Sequence, residues 1–169
     1  MTNANNLLDA AKKIESMGPS YIIIKKGEHG AMLYHNNQTF LAPAALLDNV
    51  VDPTGAGDTF AGGLVGHLAS SPIVDFETIK TAIVYGSSMA SFCVTGFGTK
   101  SMINVDLEMA SKRAKELQKQ TRYSNPELIR QLDYDTRKTQ AELDIYDEAM
   151  RPVGQPQDKQ LLIVQSDNP

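Results

Sequence analysis

Apolar residues recur at helical spacing over residues 6–17, where Leu7, Leu8, Ala11, Ile14 and Met17 share one face; Gly18-Pro19 ends the run. The period then changes. Tyr21-Ile22-Ile23-Ile24-Lys25 is continuous and β-branched, the pattern of a strand covered on both faces. Lys26-Gly27-Glu28-His29-Gly30 reads as a turn and Ala31-Met32-Leu33-Tyr34-His35 as a returning strand. Asn36-Asn37 makes a hairpin tip, though without the favoured Asn-Gly, and a third strand runs from Gln38 to Ala42. Val50-Val51 leads into a glycine-rich segment that opens a helix from about Asp58 to Ser70, broken by Ser71-Pro72. Residues 75–94 predict a largely buried helix or helix pair, closed by Gly96-Phe97-Gly98. A charged amphipathic helix follows at about 105–120, with Leu107, Ala110, Ala114 and Leu117 on its apolar face. After the first helix, the order strand, loop, β-hairpin, glycine-rich segment, helix, helix reads as an α/β arrangement.

Beyond Tyr123 the pattern weakens. Residues 124–169 carry scattered apolar positions, many charges and the stretch Pro152-Val153-Gly154-Gln155-Pro156-Gln157. This predicts two parts: a folded domain over 1–123 and a weakly packed or disordered tail over 124–169. Within the tail, Asn125-Pro126 starts a helical portion reaching toward Met150, and Leu161-Leu162-Ile163-Val164 forms a short strand where a sheet edge is available.

Composition narrows the partners. With 41% hydrophobic residues the 169-residue chain can bury one core, and its net charge of −4 gives no electrostatic argument for nucleic acid. The single cysteine, Cys93, excludes an intrachain disulfide framework and sits in an apolar stretch as a small buried hydrophobe. No apolar run approaches the roughly 20 residues of a membrane span, and residues 1–6 lack the features of a signal peptide. The expectation is a cytoplasmic protein.

The chemistry concentrates in Val51-Asp52-Pro53-Thr54-Gly55-Ala56-Gly57-Asp58-Thr59-Phe60. Consecutive amides at a Gly-Ala-Gly turn, backed by a helix dipole, make an anion site, and Asp58 at its edge is placed to act as a base. Phosphoryl transfer suits this pairing, because it depends on positioning and charge stabilisation. A Walker A loop is excluded by the missing Lys, and a dinucleotide fingerprint by Phe60 standing where a third Gly belongs. From the residues alone, a glycine-rich helix start with Asp58 as a dipole-favoured first-turn residue also remains open.

Asp52-Pro53-Thr54-Gly55-Ala56-Gly57-Asp58-Thr59-Phe60 closely resembles the signature of the ribokinase-like (PfkB) carbohydrate and nucleoside kinases. The resemblance extends over about residues 7–121 and implies the C-terminal, nucleotide-binding portion of a mostly parallel sheet flanked by helices. It implies ATP-dependent phosphotransfer to a sugar or nucleoside hydroxyl, with Asp58 as base and Gly55, Ala56 and Gly57 as anion hole. Lys25, Gly27 and Gly30 are similar to the family's nucleotide-contacting loop, although a β-turn with solvated lysines explains them equally well. Gly86 and Ser87 correspond to an adenine-lining helix. The backbone of Asp52, Thr54 and Gly98 matches a monovalent-cation site, so ATP, Mg²⁺ and K⁺ are the implied cofactors.

The Asn-x-x-Glu motif that organises Mg²⁺ in the family does not occur before the first strand, and neither does the half of the sheet that holds most of the sugar site. The expectation is therefore a truncated kinase, impaired as an isolated chain, with a homodimer or a missing N-terminal half as its partner. The alternative is a non-catalytic nucleotide-binding remnant or a partner-binding module.

Overall fold

The computed structural model describes residues 2–121 and the backbone of residues 161–165. Helix α1 (Leu7–Glu15) precedes strands β1 (Tyr21–Lys25), β2 (Ala31–His35) and β3 (Gln38–Ala42). Three helices follow, α2 (Ala56–Ala69), α3 (Phe76–Cys93) and α4 (Leu107–Gln120), with strand β4 (Leu161–Gln165) last. Three of these four helix starts carry a side-chain cap. Asn6, Asp75 and Asp106 cap α1, α3 and α4 by accepting from the backbone N–H of Asp9, Thr78 and Met109. Residues 75–94 thus form one continuous helix and not a pair.

The sheet divides its side chains by parity, as a period of two requires. Tyr21, Ile23, Ala31 and Leu33 point toward α2 and α3, joining Phe60, Leu64, Ile79 and Ile83 in one core. Ile22, Ile24, Met32 and Tyr34 point the other way, onto Ala11 and Ile14 of α1. β1 is therefore buried on both faces, which is why its sequence shows no alternation.

One expectation needs correcting. The strand order is β3-β2-β1-β4, and the sheet is not mostly parallel among the described residues. β1 pairs antiparallel with β2, and β2 antiparallel with β3. The connections are too short for anything else, since a parallel pair needs a crossover of a dozen or more residues. Lys26–Gly30 makes one of them; the other is Asn36-Asn37, whose positive φ angles of 46° and 62° suit a tight two-residue hairpin. Only β4 lies parallel, pairing Tyr21 with Leu161 through Lys25 with Gln165. The strand expected near residues 161–164 thus finds its edge on β1. The boundary at residue 123 and the helical portion of the tail lie outside the described residues.

Helices α2 and α3 cross closely on glycine. A Cβ on Gly86 would stand 2.7 Å from the Phe60 carbonyl oxygen, and one on Gly63 would stand 2.8 Å from Met89 Cγ. Gly86→Ala gains helix propensity but overpacks against backbone, so we expect a net destabilisation of about 1–2 kcal/mol. Gly62, with open space around it, is the control: Gly62→Ala should be neutral or stabilising. Urea midpoints of the two variants check this, and equal midpoints would refute the close crossing. No helix among the described residues is long and apolar enough to cross a membrane.

Candidate phosphate and nucleotide site

The glycine-rich segment is anchored before it turns. The backbone N–H groups of Val51 and Asp52 both donate to the Val94 carbonyl, at 2.8 and 3.3 Å, tying the segment to the end of α3. The Asp52 carboxylate then accepts from the Thr54 backbone N–H at 2.9 Å. The hydrogen bonds from the Thr54 backbone and then from its side chain hold the Asp52 carboxyl below its ordinary value of 3.8. Being depressed, this pKa favours the folded turn above the ordinary value, an advantage lost as pH falls through the lowered one.

Gly55 caps α2 in the left-handed region, at φ 81°, where a side chain is strained. Its conformation swings the chain into the helix so that Ala56, Gly57 and Asp58 occupy the first turn. The first intrahelical bond runs from Thr59 N–H to the Gly55 carbonyl, at 2.9 Å, and Ala56 N–H donates to the Pro53 carbonyl at 3.1 Å. Helix geometry leaves the Gly57 and Asp58 amides as open donors at the positive end of the dipole. Asp58 itself is solvent-exposed. From the opposite side, Lys25 Nζ at the end of β1 donates to the Gly57 carbonyl at 3.2 Å. Strand end and glycine turn are thereby brought together across 32 positions of sequence.

Between them lies a cleft of about 550 Å³. Lys25, Gly27 and Gly30 line it from the β1–β2 turn, Ala56 and Gly57 from the start of α2, and Ser87 from α3. Six of the residues singled out in the sequence therefore share one cavity. Gly86 is buried in the α2–α3 crossing instead. Asp52, Thr54 and Gly98 lie outside the cleft lining; the Thr54 carbonyl takes the Cys93 thiol at 3.6 Å, and Gly98 is exposed with φ 60°.

Sequence reasoning missed two parts of the wall. Ala90, Ser91 and Val94 line the cleft with Ser87, and their spacing of three, four and seven residues from it is a single stripe of α3. The loop between β3 and α2 contributes Ala44, Ala45, Leu47 and Val50. The α3 stripe was readable as small residues in a bulky helix; the loop has no period to read.

A glycine turn at a helix start, opening on a cleft beside a strand end, is a geometry able to hold an anion. The pfkB family carbohydrate kinase profile matches residues 1–106, and the chain belongs to that family. Among relatives, cytidine kinase from Thermococcus kodakarensis is 36% identical over 75 residues, covering 43% of this chain and 27% of that protein. Aminoimidazole riboside kinase from Salmonella typhimurium is 32% identical over 103 residues, covering 61% of this chain and 32% of that protein. The crystal structure of aminoimidazole riboside kinase from Salmonella enterica, complexed with aminoimidazole riboside and an ATP analog, superimposes with a TM-score of 0.58 at 29% identity. It covers 67% of this chain and 37% of that one. The chain thus spans about a third or less of the length of these curated relatives.

Proposed function

We propose that this chain carries the nucleotide half of an ATP-dependent phosphotransferase acting on a sugar or nucleoside hydroxyl. The observation that carries the reading is the juxtaposition at α2: open Gly57 and Asp58 amides and the Asp58 carboxylate stand at one helix start, bridged to β1 by Lys25. The amides and the helix dipole steady the transferring phosphate, Lys25 adds positive charge, and Asp58 takes the acceptor hydroxyl proton. Gly55 sets the turn that presents these donors. The cleft over Gly27, Gly30 and Ser87 takes the nucleoside.

When bound, Mg²⁺ would supply neutralisation of the phosphate charge. Among the described residues no group of three or more His, Cys, Asp or Glu could hold a metal ion. Asp52 and Asp58, the carboxylates of the turn segment, are the described residues that would meet it, and a magnesium ion held by one or two carboxylates keeps waters of its own. The carbonyls of Asp52, Thr54 and Gly98 are the proposed K⁺ ligands. A reducing, cytoplasmic setting suits the free Cys93 thiol.

A second reading, a nucleotide-binding module without turnover, rests on the cleft alone, whose Gly27, Gly30 and Ser87 lining requires no base. Calorimetric titration of the 169-residue chain with ATP and ADP, followed by ADP release over a panel of pentoses, hexoses and nucleosides, tests both. We expect nucleotide dissociation constants below about 1 mM, the ordinary ceiling for substrate affinities. No heat of binding at several-fold higher nucleotide would sink the proposal; binding without ADP release on any acceptor selects the second reading.

A further inference from the structure

We infer that the outer edge of β1 is a strand-acceptor site. The segment it takes up, in parallel, is the Leu161–Gln165 run of a second copy of this chain, in exchange for the chain's own β4. Both cores rest on β1. Tyr21, Ile22, Ile23 and Ile24 are each 3% exposed or less, with α1 on one face and α2 and α3 on the other. β2 takes one edge of the strand. Backbone N–H and C=O groups of a strand point alternately to its two sides, so half of those of β1 are aimed at the other edge. Between two apolar layers those groups need partners, and a further strand supplies one for each.

β4 meets that need, in register from Tyr21 with Leu161 to Lys25 with Gln165. Its attachment is unlike that of the other strands. β1, β2 and β3 are joined by Lys26–Gly30 and Asn36-Asn37, links too short to let one strand leave the next. β4 is reached only through residues 121–160 and ends the sheet, with β1 its one neighbour among the described residues. A parallel pair has no tight turn of its own. The edge therefore fixes the direction and register of its occupant but not which copy supplies it. Exchanging an identical element between copies keeps every bond of the ladder.

The two runs also lack the features that keep sheet edges apart. Natural edges are commonly guarded by charge or proline. Tyr21-Ile22-Ile23-Ile24 contains neither, and nor does Leu161-Leu162-Ile163-Val164. Uncharged, apolar runs of this kind pair strand to strand. The sequence seated on this edge is present in every copy, which makes a second copy the occupant. A tethered strand competes at an effective concentration of about millimolar for a short linker, and lower for a longer one. The strand of a second copy gains ground as the protein approaches that range.

The probe is a fluorescein-labelled peptide of residues 159–167. It is titrated by anisotropy into the full 169-residue chain and into the full chain carrying Leu162→Pro and Ile163→Pro. Successive residues aim their N–H groups to opposite sides, so one of the two prolines removes a donor directed at β1 whichever parity holds. With its own strand disabled, the variant should bind the peptide at least about tenfold more tightly than the unmodified chain, where the tethered strand competes. A peptide carrying the same two prolines should bind neither. Sedimentation of the unmodified chain, at concentrations rising to about 1 mM, should show a growing dimer, and the variant should stay monomeric. Equal peptide affinity for the two chains, a monomer throughout for the unmodified chain, or a dimer kept by the variant would overturn the inference. If urea midpoints show that the prolines unfold the chain, a photo-reactive peptide decides on the unmodified one. With a benzophenone in place of Ile163 it should label Tyr21–Lys25; labelling of another segment, or none, would overturn the inference.

Discussion

Gly30→Ala is expected to destabilise the chain by roughly 2–6 kcal/mol, enough to deplete the folded state of a protein with ordinary stability. Two independent terms add. Gly30 holds φ 84° and ψ −139°, a region that side-chain-bearing residues enter only under about 1–3 kcal/mol of strain. A Cβ there would also stand 2.0 Å from the Ala42 carbonyl oxygen and 2.7 Å from the carbonyl carbon of Pro43. Both are backbone atoms, so no rotamer relieves the clash, and displacing them is overpacking of about 1–3 kcal/mol. The disturbed atoms close β3 against β2, where Ala31 pairs with Ala42, and begin the loop that walls the cleft. Gly27 in the same turn separates the two terms, because it too has positive φ, 56°, but nothing lies within 4 Å of a Cβ placed on it. Gly27→Ala should therefore cost only the conformational part, about 1–2 kcal/mol. Urea denaturation of both variants reads the difference. Equal losses would mean that the close approach over Gly30 is not a feature of the folded chain.

What made parts of this fold legible is burial. Tyr21-Ile22-Ile23-Ile24 is apolar without alternation because helices cover both faces, and that environment leaves few other assignments for such a run. The glycine turn and helix start were legible because Gly55 must reach a left-handed conformation before the helix begins, a constraint that few residue combinations meet. Strand direction was not written in the apolar pattern at all. A parallel and an antiparallel β2 bury the same side chains, and only the brevity of the Lys26–Gly30 and Asn36-Asn37 links decides between them. Gly86 shows a different ambiguity: a small residue on a buried helix serves close packing or close ligand approach equally well, and the Phe60 carbonyl beside it is a long-range fact.

Asp58→Asn carries the largest functional effect, a fall in phosphotransfer of about 10²–10⁴-fold wherever turnover is observed, the usual contribution of a positioned base. Asn keeps the size and hydrogen-bonding reach of the side chain, and Asp58 is exposed in the first turn of α2, so folding should be unchanged. The substitution also has a consequence for binding that does not need turnover. On the proposed reading a terminal phosphate is held at the Gly57 and Asp58 amides, beside the carboxylate, and two negative charges about 4 Å apart repel by about 1 kcal/mol even in water. Removing one should tighten ATP by about fivefold, with a smaller gain for ADP, which lacks the nearest phosphate. A residue that only complemented the helix dipole would behave in the opposite sense. Its loss would weaken the helix start by about 0.3–1 kcal/mol and leave the ATP-to-ADP preference where it was. Affinities of the two nucleotides for the parent chain and the variant therefore separate a base beside the phosphate from a capping charge. Tighter ATP binding with lost or absent transfer supports the first; an unchanged nucleotide ratio with a lowered unfolding midpoint supports the second and removes Asp58 from the chemistry.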